Sequence, residues 1–140
     1  MSVLGGEFAL ILLVSGQWNT IAKLESSLAK LEEKFDLKIL KKRTESKKQY
    51  NDCMAYTVEI VTIDHPGIVY KIANFFSSRS INIDDLQTNC YAAAHTGAPV
   101  FTMNLRVMIP KTLSIAELRE QFLDFCDQTN LDAVIEPVKL

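Results

Sequence analysis

The sequence predicts an α+β protein: a βαββαβ domain over residues 51–140, preceded by a partial βαβ half-domain and linker over residues 1–50. Three observations lead there. Short runs of alternating apolar residues take turns with amphipathic stretches of helical period. A helix start is marked by Ser114 and Glu117 at capping-box spacing. One segment of the chain also repeats another.

The repeat is read from the helices outward. Ile21, Ala22 and Leu24 recur as Ile115, Ala116 and Leu118, an offset of 115 − 21 = 94. The same offset pairs Leu28 with Phe122, Leu31 with Phe125, Leu37 with Leu131 and Leu40 with Val134. Upstream the register slips by one residue, so that Phe8, Leu10, Leu12 and Val14 match Phe101, Met103, Leu105 and Val107. Each repeat thus reads as strand, turn, amphipathic helix and strand.

In the first unit, Phe8 to Val14 alternates as a strand, with further apolar residues between that suggest burial on both faces. Ser15-Gly16 breaks it, and Asn19 is suited to cap a helix with the stripe Ile21, Leu24, Leu28, Leu31 and Phe35. Leu37, Ile39 and Lys41 continue as a strand. The second unit holds more. A strand is expected over Ala55–Ile63, a helix from Pro66 to about Arg79, and a strand with its turn over Ile81–Ala92. Then come a strand over Pro99–Ile109, a helix from Ile115 to about Gln128 and a last strand over Leu131–Val138. This order is the split βαβ, or ferredoxin-like, plan, an antiparallel sheet with two helices on one face. The first unit carries only its second half. A missing β-α portion needs roughly thirty residues, and only seven precede Phe8. The expectation is a truncated start or a half-domain completed by another chain, and a homodimer in which sheet edges or helix faces pack together.

Composition bounds the function. With 140 residues, 48% of them hydrophobic and 23% charged, the chain can bury a sizeable core. Fifteen basic residues against seventeen acidic give a net charge of −2, which disfavours direct nucleic-acid binding. The basic stretch Lys38, Lys41, Lys42, Arg43, Lys47 and Lys48 is interrupted by Thr44, Glu45 and Ser46 and reads as a solvated strand end and linker. The longest apolar run, Phe8 to Val14, has a strand's length, so no membrane span is expected, and no secretory signal is visible. Cys53, Cys90 and Cys126 are odd in number, widely spaced and without a C-x-x-C pair. No disulfide framework, metal site or cofactor is expected, and the thiols suit a reducing cytoplasm.

One segment carries more chemistry. Thr62-Ile63-Asp64-His65-Pro66-Gly67-Ile68-Val69 joins the first strand and first helix of the complete unit. Pro66 suits the first helical position, and Gly67 permits close approach of a backbone or small ligand. The N–H groups of Gly67, Ile68 and Val69 would then face outward at the positive helix end, a ready place for a carboxylate. Asp64 can accept from an ammonium group or cap the helix. Asn82 and Asp84 open the next strand, where turn chemistry alone also explains them. If the parallel strands lie side by side, Asn82 comes near Asp64. An acid, an amide and a helix N-terminus together would suit an amino-acid zwitterion.

Catalysis is not expected. Cys90 and His95 lack the third group of a nucleophile–base arrangement, and Asp84 and Asp85, adjacent on a strand, point to opposite faces. The Asp64-His65-Pro66-Gly67 turn lacks the arginine of a phosphate-cradling acylphosphatase loop. The rival to a sensor is an interaction module in which the loop is only a cap.

D-H-P-G-I-V at 64–69 with I-N-I-D-D-L at 81–86 resembles the ACT-domain family, small regulatory modules that bind amino acids. G-G-E-F-A-L-I-L-L-V-S-G-Q-W-N at 5–19 with L-K-I-L-K-K-R-T at 37–44 is similar to the first domain of the glycine cleavage repressor group of that family. The resemblance covers nearly the whole chain. It implies two ACT domains without a separate DNA-binding domain, acting through a DNA-binding protein partner, with a small amino acid of the glycine or serine class as effector. It places Asp64, Gly67, Ile68 and Asn82 on effector-site positions, and Thr62 where some members set a polar side chain. The first domain of that group opens with its own D-x-P-G turn, and the first unit of this chain has none.

Overall fold

A computed structural model describes residues 2–45 and 51–139. Ser46, Lys47 and Lys48 of the basic stretch lie outside the described residues. The chain divides into two compact units, residues 1–47 and residues 48–140.

The first unit opens with a hairpin. β1 (Ser2–Leu4) pairs antiparallel with β2 (Glu7–Ala9), placing Val3 opposite Phe8. Gly5 turns the chain at φ 63°, a conformation that favours glycine. Helix α1 (Trp18–Phe35) follows, and Asp36 closes it in the left-handed region, donating its N–H to the Glu32 carbonyl. The segment after α1 runs back along it: the Ile39 N–H donates to Glu32 Oε1 at 2.6 Å, and Arg43 makes two bonds to Glu25, at 2.9 and 2.8 Å. Arg43 also lies over the Trp18 ring, 5.9 Å from its centroid.

Three expectations for this unit are corrected. The strand expected over Phe8–Val14 shrinks to Glu7–Ala9, and residues 10–17 have no regular structure. The strand expected from Leu37 does not form. The helix starts earlier than Asn19 suggested, because Gln17 is the N-cap and its carbonyl accepts from the N–H groups of Thr20 and Ile21. The second unit supplies the physical reason for the first two: strands in this arrangement pair with a strand of the other half, not with each other. Among the described residues of the first unit, no other-half strand stands between residues 10–14 and 37–41.

The second unit has the order β3 (Cys53–Ile63), α2 (Ile68–Ser77), β4 (Asn82–Ala92), β5 (Pro99–Pro110), α3 (Ile115–Thr129) and β6 (Asp132–Pro137). Its four strands are arranged β4-β5-β3-β6, every pair antiparallel. Alternation along β5 places Phe101, Met103, Leu105, Val107 and Ile109 in the core. They meet Val58 and Ile60 of β3, Ile135 of β6, and the inward stripes Ile68, Ile72, Phe75 and Phe76 of α2 and Leu118, Phe122 and Cys126 of α3. Both helices therefore cover one face of the sheet. Phe75 links them, its ring 5.3 Å from that of Phe122 and 5.0 Å from that of Phe125. Burying such rings contributes about 1.5–3 kcal/mol each. The capping box is realised: Ser114 is the N-cap of α3, and its hydroxyl accepts from the Glu117 N–H at 3.4 Å. The opposite face leaves Val61, Ile63 and Val134 exposed.

Two details depart from expectation here. β3 and β4 do not lie side by side, because β5 runs between them. A bulge between Ile83 and Asp85 breaks the alternation assumed for Asp84 and Asp85.

Candidate functional site

The turn between β3 and α2 follows directly from its residues. The Asp64 N–H donates to the Pro99 carbonyl at 2.9 Å and continues the β3–β5 ladder by one bond. Pro66 does not begin the helix; Gly67 is the N-cap at φ 90°, and α2 starts at Ile68. A left-handed cap is open to glycine and strained for other L-residues, so Gly67 makes the turn possible. No side chain caps α2. The N–H groups of its first turn, those of Ile68 and Val69 among them, have no acceptor within the helix by its geometry, and they sit at the positive end of its dipole. Ile68 anchors this end in the core, while Gly67 is exposed. A Cβ built on Gly67 would meet nothing within 4 Å.

Asp64 does not act as the cap. Its carboxylate accepts from the Cys90 thiol of β4, with Sγ 3.5 Å from Oδ2. The Cys90 pKa is raised above its ordinary 9.0 by partial loss of water and by the bond to, and charge of, Asp64. That thiol stays protonated, the opposite of what a nucleophile requires. The His65 ring Nδ1 lies 3.2 Å from the Pro66 carbonyl.

The remaining two candidates point elsewhere. Thr62 donates its hydroxyl to the Asn130 carbonyl at 3.2 Å, tying β3 to the end of α3. Asn82 pairs with Met108 at the start of β4, whereas Cys90, beside Asp64, pairs with Phe101 near the other end. The separation is 90 − 82 = 8 residues of strand, about 26 Å at roughly 3.3 Å per residue. The sheet thus brings Asp64, Gly67 and Ile68 together and holds Asn82 apart. Asn82 instead lines an open cleft of about 390 Å³ with Tyr70, Asn74 and Ser77 of α2. Sequence reasoning passed over Cys90 as a neighbour of Asp64; the signal lay in β4 ending where β3 ends.

The second unit has the ferredoxin-like fold, and the chain is similar to ACT-domain proteins. Residues 1–41 match the ACT domain family model. Over 138 residues the chain is 26% identical to the glycine cleavage system transcriptional repressor of Escherichia coli (strain K12), covering 99% of this chain and 73% of the relative. The repressor of the same name from Shigella flexneri matches with the same figures. A crystal structure described as a candidate glycine cleavage system transcriptional repressor superposes with a TM-score of 0.67 at 20% identity, covering 89% of this chain and 70% of that one. A Galdieria sulphuraria protein of unknown function gives 0.58 at 23% identity, over 67% of this chain and 55% of that one. These structural likenesses establish the fold. Among the described residues, no helix is long and apolar enough to cross a membrane.

Proposed function

We propose that the chain is a cytoplasmic, non-catalytic regulator that binds a small amino acid of the glycine or serine class and acts through a DNA-binding protein partner, as a homodimer. The observation that carries this reading is the similarity, over 138 residues, to a relative named as a transcriptional repressor. The turn supports it chemically. First-turn N–H groups of α2, left without a side-chain cap, suit the carboxylate of a zwitterion, and Asp64 suits its ammonium group. In this reading the site is Asp64, Gly67 and Ile68, and Asn82 can join it only from a second chain. Thr62 supports the site from behind through Asn130.

Size limits the affinity. Glycine has five non-hydrogen atoms, and a ceiling of about −1.5 kcal/mol per atom corresponds to a dissociation constant of a few micromolar at best. Binding is expected at high micromolar to millimolar concentrations. A thermal-shift screen of the twenty amino acids tests the reading directly: a rise confined to small amino acids supports the sensor. A flat response supports an interaction module without ligand, the reading favoured by the distance between Asp64 and Asn82.

A further inference from the structure

A cleft of about 430 Å³ lies between α2 and α3. Lys71, Asn74 and Ser78 line its α2 wall at the spacing of one stripe of a helix surface. Gln121, Asp124 and Gln128 line its α3 wall with the same spacing. Phe75 and Phe125 also line it, their ring centroids 5.0 Å apart.

Arg79, just past the end of α2, lines the cleft and is held there by several contacts. Its guanidinium lies 3.9 Å from the centroid of the Phe75 ring. Its Nε donates to Gln121 Oε1 at 3.1 Å, and its Nη1 donates to the Phe75 carbonyl at 3.0 Å and to the Ser78 hydroxyl at 3.4 Å. The carbonyl bond satisfies part of the open end of α2, a task a lysine could also perform. The cap leaves Nη2 over, which makes no bond among the described residues.

The cleft holds two cations, Lys71 and Arg79, and one carboxylate, Asp124. The one ion pair among the described residues joins Arg43 to Glu25, so all three charges of the cleft are outside any. Lys71 precedes Arg79 by 79 − 71 = 8 residues, roughly 12 Å along a helix at about 1.5 Å per residue. An arginine always keeps its charge, and one whose side chain is already fixed loses little freedom when it takes an anion.

We infer that this cleft is where the protein partner docks, and that the occupant is an acidic segment with one carboxylate on Arg79 Nη2 and a second, about two helical turns away, on Lys71. The inference rests on the reading of the chain as a regulator that acts through a protein partner, and not on any amino-acid effector. Nucleic acid fits the cleft less well. A phosphate backbone is tracked by a run of cations, whereas α3 carries Glu117, Glu120, Asp124 and Asp127.

The test uses the isotope-labelled chain without amino acid. The probe is an alanine-based helical peptide carrying glutamates two turns apart. In magnetic resonance spectra it is expected to shift the Arg79 Nε–H signal and the backbone amides of Lys71, Asn74, Gln121 and Gln128, while a peptide with lysine in place of glutamate shifts none. Lys71 is exposed and in no ion pair, so Lys71→Gln keeps the fold; it should weaken binding about two- to fivefold. Arg79→Gln should weaken it about tenfold, the loss of a charge-assisted bond. Asp124→Asn removes the repelling charge and should tighten it about twofold. Absence of shifts in the cleft overturns the inference, as does equal binding by wild type and all three variants. The same shifts from free glutamate would make the cleft a metabolite site, and from a single-stranded oligonucleotide a nucleic-acid site; either result overturns it. A flat thermal response to amino acids would end the sensor reading and leave these shifts in place, so the two failures are told apart.

Discussion

The Cys90 thiol donates to Asp64 Oδ2 across a gap of 3.5 Å, so the carboxylate of the β3–α2 turn is bonded to β4 and not to the helix it precedes. Asp64 and Cys90 come from segments 26 residues apart in sequence, and β5 runs between their strands. The contact is made possible by the shared end of the sheet. It also gives the turn a chemical reporter.

That reporter yields the first prediction. The Cys90 pKa is held up by lost water and by Asp64. Asp64→Asn removes the charge and leaves the desolvation, so the thiol pKa should fall part of the way towards 9.0. Iodoacetamide labelling of Cys90, followed by peptide mass spectrometry between pH 7.5 and 9.5, should then be faster in Asp64→Asn at every pH. Equal rates in the two proteins would mean that the carboxylate does not govern the thiol.

What could be read from the sequence follows from which interactions are local. The helix beginning at Ile115 was legible because Ser114 and Glu117 form its cap within four residues of chain. The core face of β5 was legible because alternation alone separates Phe101, Met103 and Leu105 from their neighbours. A strand is a property of a pair, however, and residues 10–14 are apolar throughout without becoming one. The Gly5-Gly6 turn between apolar residues was a usable hairpin signal that went unread. At the candidate site, Asp64, Gly67 and Ile68 are local and were found together. The distance from Asp64 to Asn82 depends on strand order, and local pattern gave no measure of it.

Thr62 supplies a second prediction. Its hydroxyl bonds to the Asn130 carbonyl, where Asn130 takes φ 53° to end α3. Thr62→Val removes the donor while keeping the branched shape. It should cost about 0.5–1.5 kcal/mol of stability, the usual net worth of one such bond. If Thr62 serves the site only through α3, the variant should melt earlier but show the same amino-acid shift as wild type. Loss of the shift without a change in melting would make the hydroxyl a direct ligand contact.

The third prediction concerns alkaline pH. Cys126 is buried against the α2–α3 core, and burial, with a smaller contribution from Asp127, pushes its thiol up to about 11. An unfolded thiol ionises near its ordinary value of 9.0. The unfolded chain therefore loses a proton first, and the stability present below pH 9 declines as the pH rises from 9 to 11. Denaturant melts across that window should show a falling midpoint. Cys126→Ala should be less stable throughout, because it leaves a small cavity, but its midpoint should fall less steeply. A parallel fall in both proteins would remove Cys126 as the source.

The last prediction separates the sensor from the scaffold at Gly67. The residue holds φ 90°, and an added Cβ meets nothing within 4 Å, so substitution is penalised by backbone strain and not by collision. Gly67→Ala should cost about 1–2 kcal/mol, while Gly67→Asn, whose side chain tolerates the left-handed region, should cost less. The two variants thus differ in stability yet both place atoms where a carboxylate would approach the first-turn N–H groups of α2. If the turn binds an amino acid, calorimetry should find binding lost in both, whatever their melting temperatures. If the turn matters only as structure, binding should follow stability and return in Gly67→Asn. Asp64→Ala completes the test. Because Asp64 caps nothing, its removal should leave the melting temperature of the free protein nearly unchanged and weaken binding only if it meets the ammonium group. A large drop in melting temperature with unchanged binding would assign Asp64 to the scaffold and exclude it from the site.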